Sequence, residues 1–170
     1  MLWLYFLVMA GVIALDQGSK WLVMLNMELY ESVDVIPGVF RFTYIRNDGM
    51  ALGMLDEHRW VFLVLSTVGI AAILFFLIKF RPKEKLLWIP LAMIAGGGFG
   101  NMIDRMFYGE TFGNGTVVDF LDFCLFPNLW KWIFNVADAF VCVGAGIVFV
   151  YLLLDIIREY REEKRKKKND

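Results

Sequence analysis

The sequence predicts a membrane all-α core: four transmembrane helices carrying a small antiparallel β-sheet segment on the outer membrane surface. Three observations predict it. Of the 170 residues, 59% are hydrophobic, above the ~45–50% of a soluble domain, and the excess is gathered in long runs separated by short polar breaks. The stretch between the first two runs is too polar to span and alternates in part with period two. Basic residues cluster beside the runs, at Lys79, Arg81, Lys83 and Lys85 and again from Arg158 to Lys168.

The predicted spans cover about residues 2–25, 60–80, 86–107 and 132–157. Each is long enough for a hydrocarbon core of ~30 Å at ~1.5 Å rise per residue, and backbone groups in lipid must be satisfied internally, which demands helix. The first run has no basic leading region and no small-residue cleavage site, and it continues past Asp16 and Lys20, so it reads as an uncleaved span. Trp60, Trp88, Trp130 and Trp132 fall near predicted span ends, where aromatic belts form. The tight turn at Arg81-Pro82-Lys83-Glu84-Lys85 and the basic tail place those segments, and hence both termini, on the cytoplasmic side. Residues 1–157 then form one four-helix transmembrane domain, with residues 158–170 as a charged cytoplasmic tail. Residues of about 28–59 form the outer segment, where Val33–Ile36 and Val39–Ile45 alternate around the turn signal Pro37-Gly38. A basic run beside a membrane span does not indicate nucleic-acid binding. Cys124 and Cys142 lack metal spacing and read as packed thiols or as one disulfide. A monomer is the default expectation.

Polar groups within apolar runs need a partner or a role, because they cost a few kcal/mol or more at the bilayer centre. Asp16 and Lys20, four apart, share a helix face. They read either as a local ion pair with Lys20 snorkelling to the outer interface, or as the scaffold of an active site. In Gly96-Gly97-Gly98-Phe99-Gly100-Asn101-Met102-Ile103-Asp104-Arg105 the glycines imply close helix approach, and Gly97, Asn101 and Arg105 share one face. That face presents an amide and a guanidinium either to something polar or to a neighbouring helix.

Asp119 and Asp138 each stand in an apolar setting, 138 − 119 = 19 residues apart, so only the fold can bring them together. Asn135 shares a helix face with Asp138, and Asp122 is expected to do no more than cap a helix start. Two carboxylates that meet do not both ionise easily; one pKa rises and the pair shares a proton. That state suits peptide hydrolysis without a covalent intermediate, one acid activating water while the other hydrogen-bonds to the scissile carbonyl. A lone Asp can equally be a helix cap. His58 reads as interfacial, and Ser19, Ser32 and Ser66 have no histidine partner for a triad. No Cys/His cluster suggests zinc, and Gly96–Gly100 lacks the Lys-Ser/Thr ending of a phosphate loop. Read from these residues without further comparison, the alternatives to a peptidase are an ion relay through Asp16, Lys20, Asp119 and Asp138, or a scaffold whose polar residues only join helices.

The chain resembles the bacterial lipoprotein signal peptidase (signal peptidase II) family of aspartyl peptidases. The resemblance covers almost the whole chain and rests on five blocks: Asp16-Gln17-Gly18-Ser19-Lys20, Arg46-Asn47-Asp48-Gly49, Gly100-Asn101-Met102-Ile103-Asp104-Arg105, Val117-Val118-Asp119-Phe120 and Phe134-Asn135-Val136-Ala137-Asp138. It implies a membrane aspartyl endopeptidase that removes the signal peptide from diacylglyceryl-modified prolipoproteins, cutting just before the lipidated cysteine. By motif position it implies Asp119 and Asp138 as the catalytic pair and Asn101 and Arg105 as groups orienting the substrate main chain. Asn47 and Gly49 would lie in an outer segment closing over the site, with Asn135 supporting the pair and Asp16, Lys20 and Asp104 in structural parts. It further implies no metal or other cofactor, contact with membrane lipids, inhibition by globomycin-type cyclic peptides, and a site near the outer leaflet of the bacterial cytoplasmic membrane. Met50 after Gly49, Ala139 after Asp138, and a longer loop from Gly109 to Thr116 depart from the family pattern.

Overall fold

The computed structural model describes residues 2–48, 59–80, 85–125 and 132–169. These form helices α1 (Leu2–Asn26), α2 (Arg59–Phe80), α3 (Lys85–Phe107) and α4 (Val136–Asn169), and strands β1 (Ser32–Ile36), β2 (Phe40–Asn47), β3 (Val117–Phe123) and β4 (Ile133–Phe134). Gly49, Met50, His58, the 81–84 part of the basic turn and Trp130 lie outside the described residues.

Helix α3 is central and packs against α1, α2 and α4. Its glycine run makes this possible. Successive helix residues point ~100° apart, so three consecutive glycines face three neighbours. A Cβ at Gly96 would lie 2.9 Å from Val12 Cβ on α1, one at Gly97 would lie 2.5 Å from the Ala137 carbonyl oxygen on α4, and one at Gly98 would lie 3.3 Å from Ile70 Cδ1 on α2. At Gly100 a Cβ would strike the Asp16 carboxylate. A second contact joins α3 and α4 where Gly144 rests on the Pro90 carbonyl oxygen.

The apolar core joins α1, α2 and α3 through Tyr5, Leu77, Trp88, Ala92 and Ala95. Trp88, expected at an aromatic belt, is instead buried in this core. The outward faces carry exposed Leu7, Trp21, Phe75, Phe149 and Leu154, a surface suited to lipid.

The four helices stand where four spans were expected, but two contain segments long and apolar enough to cross a membrane among the described residues: Trp3–Asn26 and Val136–Lys167. In α2 the apolar stretch narrows to Leu63–Lys79. Helix α3 gives up apolar length to Gly96–Gly98, Asn101, Asp104 and Arg105.

The sheet is four-stranded and antiparallel, in the order β1-β2-β3-β4. The expected pair, β1 and β2, turns at Pro37-Gly38, where Gly38 takes φ 73°. Strands β3 and β4 extend the sheet beyond the expected 28–59 segment. The apolar run expected to begin a span at Trp132 in fact opens with β4, and α4 starts only at Val136. Helix α4 also continues through the charged segment to Asn169. Asp122 caps no helix: on β3 it accepts hydrogen bonds from Arg41 Nε at 2.6 Å and Thr43 Oγ1 at 2.9 Å. Both cysteines are free thiols.

Candidate active site

The start of α4 is built by Asn135 and Asp138. Asn135 Oδ1 accepts the Asp138 main-chain N–H at 2.9 Å, and the Asn135 N–H donates to Asp138 Oδ2 at 3.3 Å. This is a reciprocal cap, which satisfies donors a helix start leaves open. It also holds the Asp138 carboxylate at the first turn. Strand β4 leads directly into Asn135, so the sheet sets where α4 begins.

Asp119 reaches the same place from β3. It is 1% exposed. Its Oδ1 accepts from Asn135 Nδ2 at 2.6 Å and its Oδ2 from Asn47 Nδ2 at 2.7 Å. In the β2–β3 register Asn47 faces Val117 and Ile45 faces Asp119, so the Asn47–Asp119 contact is a diagonal neighbour pair on one sheet face. Burial pushes the Asp119 carboxyl up to about 7, and the charge of Asp138 adds to the rise, against the hydrogen bonds from Asn47 and Asn135.

Asn101 on α3 closes the group. Its Nδ2 donates to Asp138 Oδ1 at 2.7 Å, while its Oδ1 accepts from Asn135 Nδ2 at 3.0 Å and Lys20 Nζ at 2.9 Å. An ammonium only donates and a carboxylate only accepts, so these two neighbours dictate which way the Asn101 amide points. Arg105, one turn on, is half-buried and directs Nη1 at the Asn101 carbonyl oxygen, 3.4 Å away.

Five residues expected at the site, Asp119, Asp138, Asn47, Asn101 and Asn135, therefore meet, with Arg105 beside them. Asp16, Lys20 and Asp104 lie together in an adjoining layer, all wholly buried. Lys20 does not snorkel: it bridges Asp16 at 2.8 Å and Asp104 at 2.9 Å. Sequence reasoning missed Gln17, whose Nε2 donates to Asp104 Oδ1 at 2.7 Å, and Tyr108, whose hydroxyl donates to Gln17 Oε1 at 3.1 Å. The spacing of Gln17 and Lys20, three apart on α1, was the available signal for the first. The loop Gly109–Thr116, expected to be long, folds back onto the end of α3, with Gly113 N–H on Met106 O at 3.1 Å and Gly115 N–H on Arg105 O at 2.9 Å.

A helical core with lipid-suited faces and two carboxylates joined through one asparagine defines a class, a membrane protein with a paired-acid centre. Comparison with known proteins narrows it. A family model described as "Signal peptidase (SPase) II" matches residues 8–154. A lipoprotein signal peptidase of Bacillus pumilus is 44% identical over 151 residues, covering 89% of this chain and 93% of that protein. One of Halalkalibacterium halodurans is 38% identical over 164 residues, covering 96% and 98%. A solved bacterial membrane enzyme superposes with a TM-score of 0.79 at 29% identity, covering 89% of this chain and 88% of its own. The chain belongs to the signal peptidase II family, the lipoprotein signal peptidases, and is an enzyme of that class.

Proposed function

We propose that this chain is a membrane aspartyl endopeptidase that releases signal peptides from diacylglyceryl-modified prolipoproteins by cutting before the lipidated cysteine, with Asp119 and Asp138 as its catalytic pair. The observation that carries the pair is Asn135, which hydrogen-bonds to both carboxylates. A raised carboxyl at Asp119 holds a proton for much of the time near neutral pH. It donates a hydrogen bond to the scissile carbonyl while Asp138 takes a proton from water. The resulting hydroxide equivalent adds to the carbonyl carbon as the Asp119 proton passes to the carbonyl oxygen, giving a tetrahedral gem-diol intermediate. Collapse breaks the C–N bond, with the proton gained by Asp138 passing to the leaving amine and the carboxyl proton returning to Asp119. One water is consumed, and the pair ends as it began.

Asn101 and Arg105 sit where their amide and guanidinium can orient a substrate main chain. Asn47 steadies Asp119 from the sheet. In the bilayer we read all four helices as spans, with both termini cytoplasmic, the site near the outer leaflet, residues 1–157 as the peptidase domain and 158–170 as a cytoplasmic extension. The exposed apolar flanks of α1 and α4 support a lipid-anchored substrate arriving by lateral diffusion. The same site takes globomycin-type cyclic peptides, and the working unit is a monomer.

The test is cleavage of a diacylglyceryl-modified prolipoprotein in detergent. Asp119→Asn and Asp138→Asn should each lower kcat by at least ~1,000-fold while the protein stays folded. Cleavage surviving in either folded variant would reject the pair.

A further inference from the structure

Next to the paired acids lies a charged cluster that the chemistry above does not use. Lys20 Nζ is 2.8 Å from Asp16 Oδ2, 2.9 Å from Asp104 Oδ2 and 2.9 Å from Asn101 Oδ1. These three acceptors use all three donors of the ammonium. Lys20, Asp16 and Asp104 are 0% exposed. A buried ion cluster of this kind is a poor source of stability, because desolvating the charges offsets their attraction. Its connections suggest another purpose.

Each carboxylate of the cluster also holds a main-chain amide. Asp16 Oδ1 accepts the N–H of Ala137 at 2.9 Å, and Ala137 immediately precedes Asp138. Asp104 Oδ2 accepts the N–H of Val118 at 3.1 Å, and Val118 immediately precedes Asp119. Lys20 ties the two carboxylates together. Its third arm turns the Asn101 amide so that the NH2 group meets Asp138. Gln17 braces the arrangement, donating to Asp104 Oδ1 at 2.7 Å and to Asp16 Oδ2 at 3.1 Å.

We propose that Lys20 is a positioning residue: with Asp16 and Asp104 it forms a charged clamp that sets the separation and orientation of Asp119 and Asp138. The inference rests on the reading of those two acids as the reacting pair. Asp119 and Asp138 come from a strand and a helix, and the clamp gives both a common reference on α1 and α3. Sharing one proton across two carboxylates tolerates little error, and a displacement of ~1 Å can cost ~100-fold in rate. A cluster that merely neutralised its own charges would have no such effect on turnover.

Two variants separate these roles. Asp104→Asn leaves Lys20 and Asp16 as a neutral pair and keeps an oxygen for the Val118 N–H, but loses the ionic tie to the strand of Asp119. The triple variant D16N/K20M/D104N removes every charge of the cluster and keeps both acceptors. Steady-state cleavage of the lipid-modified precursor and thermal unfolding are measured for each. The clamp predicts a folded protein with kcat reduced ~30-fold or more and KM within about threefold of the unmodified chain. Unchanged kcat in either folded variant, or a loss carried by KM alone, overturns it. Should the triple variant not fold, Asp104→Asn decides by the same criterion. Asp119→Asn and Asp138→Asn run in the same assay: if either of those cleaves, the assignment of the pair fails, whereas inactive pair variants beside a fully active Asp104→Asn refute the clamp alone.

Discussion

At Asn135 one side chain and its own N–H meet two carboxylates, Asp119 Oδ1 at 2.6 Å and Asp138 Oδ2 at 3.3 Å. The residue caps α4, and capping brings its amide between strand and helix. Asp119 beside it carries a pH signature. Its pKa in the folded chain, about 7, lies above the ordinary value of 3.8 because burial disfavours the charged form. A carboxyl raised in this way contributes stability that is fully present below the unfolded value and is lost as pH rises through the folded value. The Tm of the unmodified chain should therefore fall more between pH 4 and pH 8 than that of Asp119→Asn; parallel curves would contradict the raised carboxyl. Activity should follow the same proton: kcat/KM falls as pH rises through about 7, where the pair loses the proton it shares. Asp122 shows how far a residue reading can miss. Alone it looked like a cap, yet Arg41 and Thr43 across the strand pair claim it.

Among the elements, α3 decides the packing. Its three consecutive glycines touch three helices, and the tolerances differ. At Gly97 a new Cβ would meet backbone, the Ala137 carbonyl oxygen at 2.5 Å, which cannot yield without moving α4. At Gly98 it would meet the end of a flexible Ile70 side chain at 3.3 Å. Gly97→Ala should therefore cost ~1–3 kcal/mol of stability through overpacking, lowering Tm, and reduce cleavage because Ala137 adjoins Asp138. Gly98→Ala should change Tm little. Thermal unfolding in one detergent compares the two, and equal losses would argue against this packing. Helix α3 achieves its close approaches and carries Asn101, Asp104 and Arg105 at the expense of apolar length, while α1 and α4 keep long lipid-compatible stretches.

On the scale of the molecule, the sheet and the helices each hold half of the paired-acid centre. Strand β3 brings Asp119, helix α4 brings Asp138, and the layer of Asp16, Lys20 and Asp104 ties both to the helical core. The far end of α4 lies apart from this. Residues 158–167 are exposed along their whole length. A chain ending at Ile157 should cleave the lipid-modified precursor with kcat/KM within about twofold of the full chain; a larger loss would assign the charged extension a part in the reaction. The helical core, a small antiparallel sheet and the buried polar side chains that needed partners were legible in the sequence because each rests on a local signal: hydrophobic runs, period-two alternation, and polar residues where an apolar setting makes them costly. Strands β3 and β4 were not read, since Val117–Phe123 carries apolar residues on both faces and lacks clean alternation, and the apolar run from Trp132 looked continuous with the helix that follows. Lys20 was legible as the i+4 partner of Asp16, but its bridge to Asp104 joins residues 84 positions apart, since 104 − 20 = 84. By itself, then, the sequence determined which side chains had to find partners, because burying a charge or an amide in an apolar chain is costly wherever it occurs. Only the tertiary structure decided which partners they found, because that depends on glycine-permitted helix contacts and on a strand register that bring distant residues to within a hydrogen bond.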